Sequence, residues 1–418
     1  MHPLNMHSTA SKERLTSRRL MQESTWFRDR FGKDRQDLFV DLMDFSKKRI
    51  APHLTALHRG EKPYSDMLKV IAEYRGFTVP EDFGGMGMKI VDSVMMREAL
   101  AYGSPSVAVF FEGHELCQLC IMLGGNEVQM ARYLPELAKE DGPIGCYALS
   151  DVNCGSDVAN MTSMKFSMNG GIFMLDGEKN FITNGPIANL AVVFAVDPTG
   201  QRYRNITAFL VPSKIEGERN GFEHGKPMIK TGWVASPTSS VSFSDVKVLA
   251  EDVVGEVGQG FALAVTGLNY GRLKVAAGAL GLMERALDET VAFVLGRMGV
   301  GGPLRERDVV ISQIDEVVEA IEATRHALYD AAFYAEGPGG NGTKVPDFSI
   351  KATIAKNIAD VNVERVAAIC SRLHGGAGMD TEMPIAVLSA DSRMYAAAEG
   401  PRTLLGMQLG KAALREQL

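Results

Sequence analysis

The sequence predicts a mainly α chain interrupted by one β domain. Two patterns predict it. Apolar residues recur at intervals of three and four in the first third and again after Gly260, which is the helical period. Between Cys146 and about Gly255 that period gives way to short β-type runs separated by turn signals. A third observation is length: 418 residues are too many for one small core and imply two or three domains. The expected division is an N-terminal extension over 1–30, a helical domain over 31–145, a β domain over 146–255 and a C-terminal helical bundle over 256–418.

Residues 1–30 are rich in Ser, Arg and Met and poor in acids. They weakly resemble an organellar presequence, and a flexible extension is the competing reading; no signal-peptide core is visible. From Asp37 to Lys139 the chain reads as helices. Leu38, Leu42 and Phe45 share a face, as do Met67, Val70 and Ile71, with a breaker cluster from Val79 to Gly85 between helices. Glu127 to Lys139 is amphipathic, with Met130, Leu134 and Leu137 on one side. Cys117 and Cys120 form a CxxC inside an apolar helical run, which reads as core packing because no second pair completes a metal site.

In the middle domain, Asn169-Gly170-Gly171 between two apolar runs is a hairpin signal. LAVVFAV, ITAFLV and VSFSDV are further strands. In the last third, Leu280, Met283, Leu287, Val291 and Val294 mark one long helix, and Val310, Ile314, Val317 and Ile321 mark a second. Ile354, Ile358 and Val361 begin a third. Pro384 opens a fourth and Pro401 a short fifth. EGPGGNGTKVPD is the longest break between them. Long helices with apolar stripes argue for a bundle.

Composition excludes several function classes. Hydrophobic content of 45% and charged content of 23% are ordinary for a globular enzyme. A net charge of −7 disfavours nucleic acid as a partner. No apolar run reaches the length of a membrane span, so no membrane partner is expected. Five cysteines make no disulfide framework and suggest a reducing compartment, the cytoplasm or, in a eukaryotic cell, the mitochondrial matrix. There is no strand–GxGxxG–helix unit, no GxxxxGK[ST] and no HExxH, so neither a doubly wound nicotinamide site nor a metal site is expected.

Chemistry concentrates in SRLHGGAGMDTEMPIAVLSADSRMYAAAEG, from Ser371 to Gly400. Gly375, Gly376 and Gly378 permit close backbone approach to a ligand. Glu399 is followed by Gly400 and Pro401, so it falls at a break between helices, where a side chain can enter a cavity; it is the candidate catalytic base. His374 reads as a hydrogen-bonded structural residue. In CYALSDVNCGSDV, from Cys146 to Val158, a strand passes into small polar residues. Ser150 and Ser156 stand there, and Asn180 to Gly185 put an aromatic ring and a hydroxyl at another strand end. Both stretches read equally as ordinary turns or as the polar edge of a flat ligand's site.

These stretches carry a resemblance. CYALSDVNCGSDV looks like the acyl-CoA dehydrogenase form CYALTEPxAGSD, and GEKNFITNG is similar to GxKxWITNG. GRLKVAAGALGLMERALDETVAFVLGR resembles that family's first long C-terminal helix. LHGGAGMDTEMPIAVLSADSRMYAAAEG resembles LGGxGYxxExPxxRxxRDxxxxxIxEGT. The matches keep their order from about Asp37 to Lys411. The resemblance implies a helical domain, a middle β-barrel and a four-helix bundle. It implies FAD between barrel and bundle, shared across an interface, usually in a homotetramer, with a dimer as the smaller assembly. The implied reaction is α,β-desaturation of an acyl thioester, with electrons passed to an electron-transferring flavoprotein.

By the same resemblance Glu399 is the base. Tyr147, Leu149, Ser150 and Ser156 would line the flavin and its pyrophosphate edge. Phe181 would pack on the isoalloxazine and Thr183 would hydrogen-bond near its N5. Gly375 and Gly376 would admit the adenosine half of a neighbouring subunit's FAD, and Arg297 its phosphates. Asn269 and Arg272 match positions that hold the thioester carrier, although Arg272 also reads as a surface helix charge. Phe110, Phe111 and Glu112 are candidates for setting pocket depth. The chain departs from the family form in five places. Phe181 stands for Trp, Pro401 for Thr, Asp308 for Gln, Val300 for Phe, and Asn269 for Asp. The last leaves an acyl carrier protein thioester beside a CoA ester as substrate. A flavin-dependent monooxygenase and a non-catalytic FAD-binding subunit are the alternatives on this fold; relatives of the first kind commonly lack the base that Glu399 supplies.

Overall fold

The computed structural model describes residues 25–215, 217–337 and 348–415. The extension expected over 1–30 falls outside the described residues as far as position 24, and its boundary shifts. Helix α1, Thr25–Arg49, already includes the last six of those positions and kinks at Gly32, whose φ is 66°. Most of the loop EGPGGNGTKVPD also lies outside the described residues.

Two short helices, α2 (Leu54–His58) and α3 (Tyr64–Val70), follow α1. Then come α4 (Ile90–Gly103), α5 (Pro105–Gly124) and α6 (Glu127–Ala138). Pro105 starts α5 where a proline costs no helical hydrogen bond. Asn126 caps α6 by accepting from the Gln129 N–H, and the Gln129 side chain returns the bond. The expectation that no segment is apolar and long enough for a membrane needs correcting: α5 meets that test by length and composition. Its burial explains the composition. It packs between α4 and the β domain, and Cys117 and Cys120 lie fully buried among Ile121, Leu134 and Val192.

Among the described residues the β domain holds ten strands. β1 (Gly145–Ala148), β2 (Lys165–Asn169), β3 (Ile172–Thr183), β4 (Leu190–Val196), β5 (Ile206–Pro212), β8 (Phe222–His224), β9 (Thr238–Leu249) and β10 (Val253–Val254) form one sheet. Its order is β10-β5-β4-β2-β3-β9-β8, with β1 parallel to β4. A small separate ribbon pairs β6 (Lys214–Ile215) with β7 (Glu218–Arg219). The Asn169-Gly170-Gly171 signal becomes a tight hairpin: Asn169 pairs with Ile172, and both glycines have positive φ. Phe209 of β5 touches Phe166 of β2 and Phe173 of β3, each with centroids 5.2 Å apart. Strands separated within the sheet thus share one interior, so the sheet curls around its core.

The C-terminal bundle comprises α7 (Gly260–Gly296), α8 (Asp308–Glu336), α9 (Phe348–His374), α10 (Pro384–Ser392) and α11 (Arg402–Arg415). A short ribbon, β11 (Met298–Gly299) with β12 (Gly302–Pro303), joins α7 to α8; nothing in its two-residue strands announces it. The stripes on α7 and α8 face the core as their spacing predicts. The stripe on α9 does not. Ile354 and Val361 are 41% and 39% exposed, while Ala352, Ala355, Ala359 and Val363 are buried. Small residues let α9 lie close to α7, so its larger side chains turn outward.

α4 and α7 cross where Gly281 meets Glu98. A Cβ at Gly281 would fall 2.1 Å from the Glu98 carbonyl oxygen. Beside this crossing, Arg325 of α8 donates to Glu98 at 2.9 Å and to Glu284 at 2.5 Å. The Tyr329 hydroxyl donates to the other Glu98 oxygen at 2.5 Å. All four side chains are buried, so each charge depends on the others. Gly281→Val is expected to destabilise the protein by at least about 1–3 kcal/mol through overpacking. Arg325→Met, which strands two buried carboxylates, is expected to cost about 3–5 kcal/mol. Denaturant unfolding of each variant checks both; an unchanged midpoint would show that the crossing tolerates rearrangement.

Candidate active site

The helix break that the sequence places at Glu399 is present. α10 ends at Ser392 and a single 3₁₀ turn, Arg393–Ala396, leads to Glu399 at φ 54° and Gly400 at φ 100°. A left-handed glutamate is strained, and such strain persists only where surrounding contacts impose it. Here they come from α7 and α9. Arg272 Nε donates to the Glu399 carbonyl at 3.4 Å, and Lys356 Nζ donates to the Gly400 carbonyl at 2.8 Å. Lys356 is itself paired with Asp360. The turned chain aims the Glu399 side chain at α7, where Gly271 makes room: a Cβ there would lie 2.6 Å from the carboxylate carbon. Glu399 Oε2 is buried without a hydrogen-bond partner. The Glu399 N–H makes no hydrogen bond to a described residue.

Burial pushes the Glu399 carboxyl up to about 8. The negative charge of Glu112 adds to the effect, while Arg272, Lys356 and Lys274 oppose it. Desolvation therefore outweighs three nearby cations, leaving a carboxylate basic enough to accept a proton near neutral pH.

Around this turn the sequence-selected residues separate into three groups. Tyr147 sits beside Glu399. Its hydroxyl donates to the Ala264 carbonyl at 3.3 Å, its ring meets Phe194 edge-on, and burial with the nearby Cys120 and Glu399 raises its pKa. Asn269 and Arg272 are also here, and Arg272 is not a surface charge. It is buried and donates to Asn269 Oδ1 at 2.6 Å and to Thr353 Oγ1 at 3.3 Å.

The second group belongs to the β domain. Leu149 is buried, and its carbonyl accepts from the enclosed Lys179 Nζ at 2.9 Å; burial depresses Lys179 to about 7, against the pull of Asp151. The Ser150 carbonyl accepts from the Asn180 N–H at 3.0 Å, and Ser156 is exposed. Phe181 has φ 55° and is 68% exposed, an aromatic ring held out to solvent on strained backbone. Thr183 packs against Gly113 of α5, and Asn184 at φ 64° ties this strand end to the Phe110 carbonyl at 2.8 Å.

The third group stands at the far end of α7. Arg297 lies 5.7 Å over the Phe293 ring, which stacks on His374 at 4.4 Å, next to Gly375 and Gly376. His374 also hydrogen-bonds the Cys370 carbonyl through Nδ1 at 2.8 Å, the structural role expected of it. Gly375 has φ 59°; both glycines are exposed, and a Cβ on either would meet nothing within the chain. Bare backbone beside an arginine suits a phosphate-bearing ligand. Sequence reasoning passed over Gly271, Lys274, Lys356 and Lys179. Each is ordinary in its local pattern and acquires meaning only from partners far along the chain. Among the described residues no cluster could hold a metal ion. An exposed ring and hydroxyls at strand ends fit the ring end of a flavin dinucleotide, and a bare glycine edge beside Arg297 fits the phosphate-bearing part of one.

Three family domains match in register. They are the acyl-CoA dehydrogenase N-terminal domain over residues 33–141, middle domain over 146–246 and C-terminal domain over 258–414. A short-chain-specific acyl-CoA dehydrogenase of Megasphaera elsdenii is 32% identical over 387 residues, covering 91% of this chain and 98% of the relative. The solved butyryl-CoA dehydrogenase of that organism superposes with a TM-score of 0.82 at 29% identity, covering 91% of this chain and 97% of its own. A chain in the solved electron transferring flavoprotein structure of Acidaminococcus fermentans gives 0.85 at 26% identity, covering 92% and 98%. The chain therefore belongs to the acyl-CoA dehydrogenase family, FAD-dependent oxidoreductases that act on CH–CH groups.

Proposed function

We propose that the protein desaturates an acyl thioester between its α and β carbons, with Glu399 removing the α-proton. The observation that carries this reading is Glu399 Oε2, buried without a hydrogen-bond partner over Gly271, on a carboxyl made basic by desolvation. Bound FAD supplies the acceptor for the β-hydrogen and its electron pair. The chain's own work is positional and electrostatic. Arg272 and Lys356 hold the Glu399 turn by its carbonyls, so the carboxylate is presented without reorganisation. The free Glu399 N–H is available to donate to the thioester carbonyl as negative charge develops there. Phe181 and Thr183 would face the flavin ring, and Tyr147, Leu149, Ser150 and Ser156 would line its remaining edge. Arg272 faces inward, which favours a role in supporting the base, with Asn269 orienting it; a thioester carrier, CoA or acyl carrier protein, would then be held chiefly by other contacts.

Gly271 and Arg297 are separated by 26 residues of α7 and its end, a rise of roughly 39 Å. One flavin dinucleotide is too short to reach both. Arg297, Gly375 and Gly376 are therefore proposed to serve a neighbouring subunit's FAD, in a dimer or homotetramer. The exposed Ile354 and Val361 are compatible with such an assembly. An electron-transferring flavoprotein is the proposed acceptor of the electrons. The presence of the base separates this reading from a monooxygenase on the same fold.

Glu399→Gln is expected to bind FAD and a thioester while losing anaerobic flavin bleaching by at least about a thousandfold; this corresponds to about 4 kcal/mol of barrier. Normal bleaching in that variant would remove Glu399 from the mechanism. The base must be ionised and its carboxyl is raised to about 8. The single-turnover bleaching rate with a saturating thioester should therefore rise with pH, with its midpoint above that of an ordinary carboxylate. Glu112→Gln removes a like charge and should move this midpoint down. A flat profile from pH 6 to 9, or an upward move in Glu112→Gln, would contradict the assignment.

A further inference from the structure

Beyond Glu399 lies a second group of buried charges that proton abstraction does not use. Arg97 of α4, Glu112 and Glu115 of α5, and Lys274 of α7 are each more than nine-tenths buried. Arg97 Nη2 lies 3.3 Å from Glu115 and 3.6 Å from Glu112, and Lys274 Nζ lies 3.2 Å from Glu115. The network is incompletely satisfied. Arg97 Nε, Arg97 Nη1 and Glu112 Oε1 have no hydrogen-bond partner, although Arg97 is 1% exposed. A buried guanidinium with two idle nitrogens is costly, and a closed structural ion pair would be expected to satisfy them.

The position of the network gives those donors a use. Lys274 is one helical turn beyond Gly271, roughly 4.5 Å along α7, on the side that carries the Glu399 carboxylate. Glu112 and Lys274 both act on the charge of Glu399, so the network adjoins the base. An acyl chain with its α-carbon at Glu399 would meet these groups after a short run of methylenes. An alkyl terminus would leave Arg97 unsatisfied. An oxygen acceptor would complete it.

Resting on the dehydrogenase reading above, we infer that Arg97 is a specificity determinant for a short acyl thioester whose far end carries a hydrogen-bond acceptor, as a carboxylate or a carboxamide. The donor–acceptor pairing is charge-assisted, and sites built to bond a polar group discriminate strongly against analogues that lack it.

The test compares glutaryl-CoA, 4-carbamoylbutanoyl-CoA and pentanoyl-CoA. They share a five-carbon acyl backbone and end in a carboxylate, a carboxamide and a methyl group. Flavin-reduction kcat/KM is measured with the holoenzyme, and binding is measured by calorimetry with Glu399→Gln. At least one polar-ended thioester is expected to exceed pentanoyl-CoA by about tenfold or more in both, or about 1.4 kcal/mol. Arg97→Met should erase that preference. Arg97→Lys, which keeps the charge but loses the idle N–H groups, should reduce it and guards against misfolding of the first variant. Preference for carboxylate over carboxamide, or the reverse, identifies the natural terminus. The inference is overturned if pentanoyl-CoA is handled as well as both polar thioesters, or if the preference survives in Arg97→Lys. If no thioester of any length bleaches the flavin, the dehydrogenase reading fails, whereas calorimetry still reads the far-end preference separately.

Discussion

The close crossing of α4 and α7 is the contact on which the rest of the molecule depends. At Gly281 the two backbones approach as near as a missing Cβ allows. Adjacent residues on a helix do not face the same way, and α4 uses this at Arg97 and Glu98. Glu98 turns toward Arg325 and Tyr329 and locks α8 to the crossing. Arg97 turns toward α5, where it meets Glu112 and Glu115. One crossing thus positions both the bundle's buried ion network and the charged cluster that α4 shares with α5. Hydrophobic packing around it excludes the water that would otherwise weaken both.

The same exclusion of water accounts for the chemistry. Three cations surround Glu399, yet its carboxyl is raised, because burial and Glu112 together outweigh them. Arg272 and Lys356 approach the backbone carbonyls of the turn. In the hydrogen bonds described they hold the carbonyls and leave the carboxylate oxygens alone. A direct bidentate pair with the carboxylate would instead lower its basicity. Cationic side chains serve here as clamps on geometry while the acid–base group stays unpaired.

Much of the architecture was legible because it is local. The period of the apolar residues marks the long helices, the Asn169-Gly170-Gly171 turn marks its hairpin, and Glu399-Gly400-Pro401 marks the break at the base. Legibility failed where context reverses a local signal. Ile354 and Val361 look like core residues, but alanines on the opposite face of α9 permit closer packing, and the core takes them instead. α5 has a membrane-like composition because protein surrounds it. The inward, base-supporting place of Arg272 has no local signal, since Thr353 and the Glu399 carbonyl, its partners, lie 81 and 127 residues away. Lys274 gains significance only when α5 and α7 bring it together with Glu115 and Glu399. Such convergence has no period for a sequence pattern to reveal.

Helix α7 carries Gly271 under the base about a third of the way along and Arg297 just past its C-terminal end. It therefore acts as a ruler. Substitutions along its faces alter packing, but inserting one residue would advance the far end by about 1.5 Å and rotate it by roughly 100°. Phe293 would then leave its stack on His374, and Arg297 its place beside the glycine edge, although every side chain in the helix was retained. Length and phase, more than residue identity, are the inherited properties of this helix, and deletions within it should be far rarer among functional descendants than exchanges.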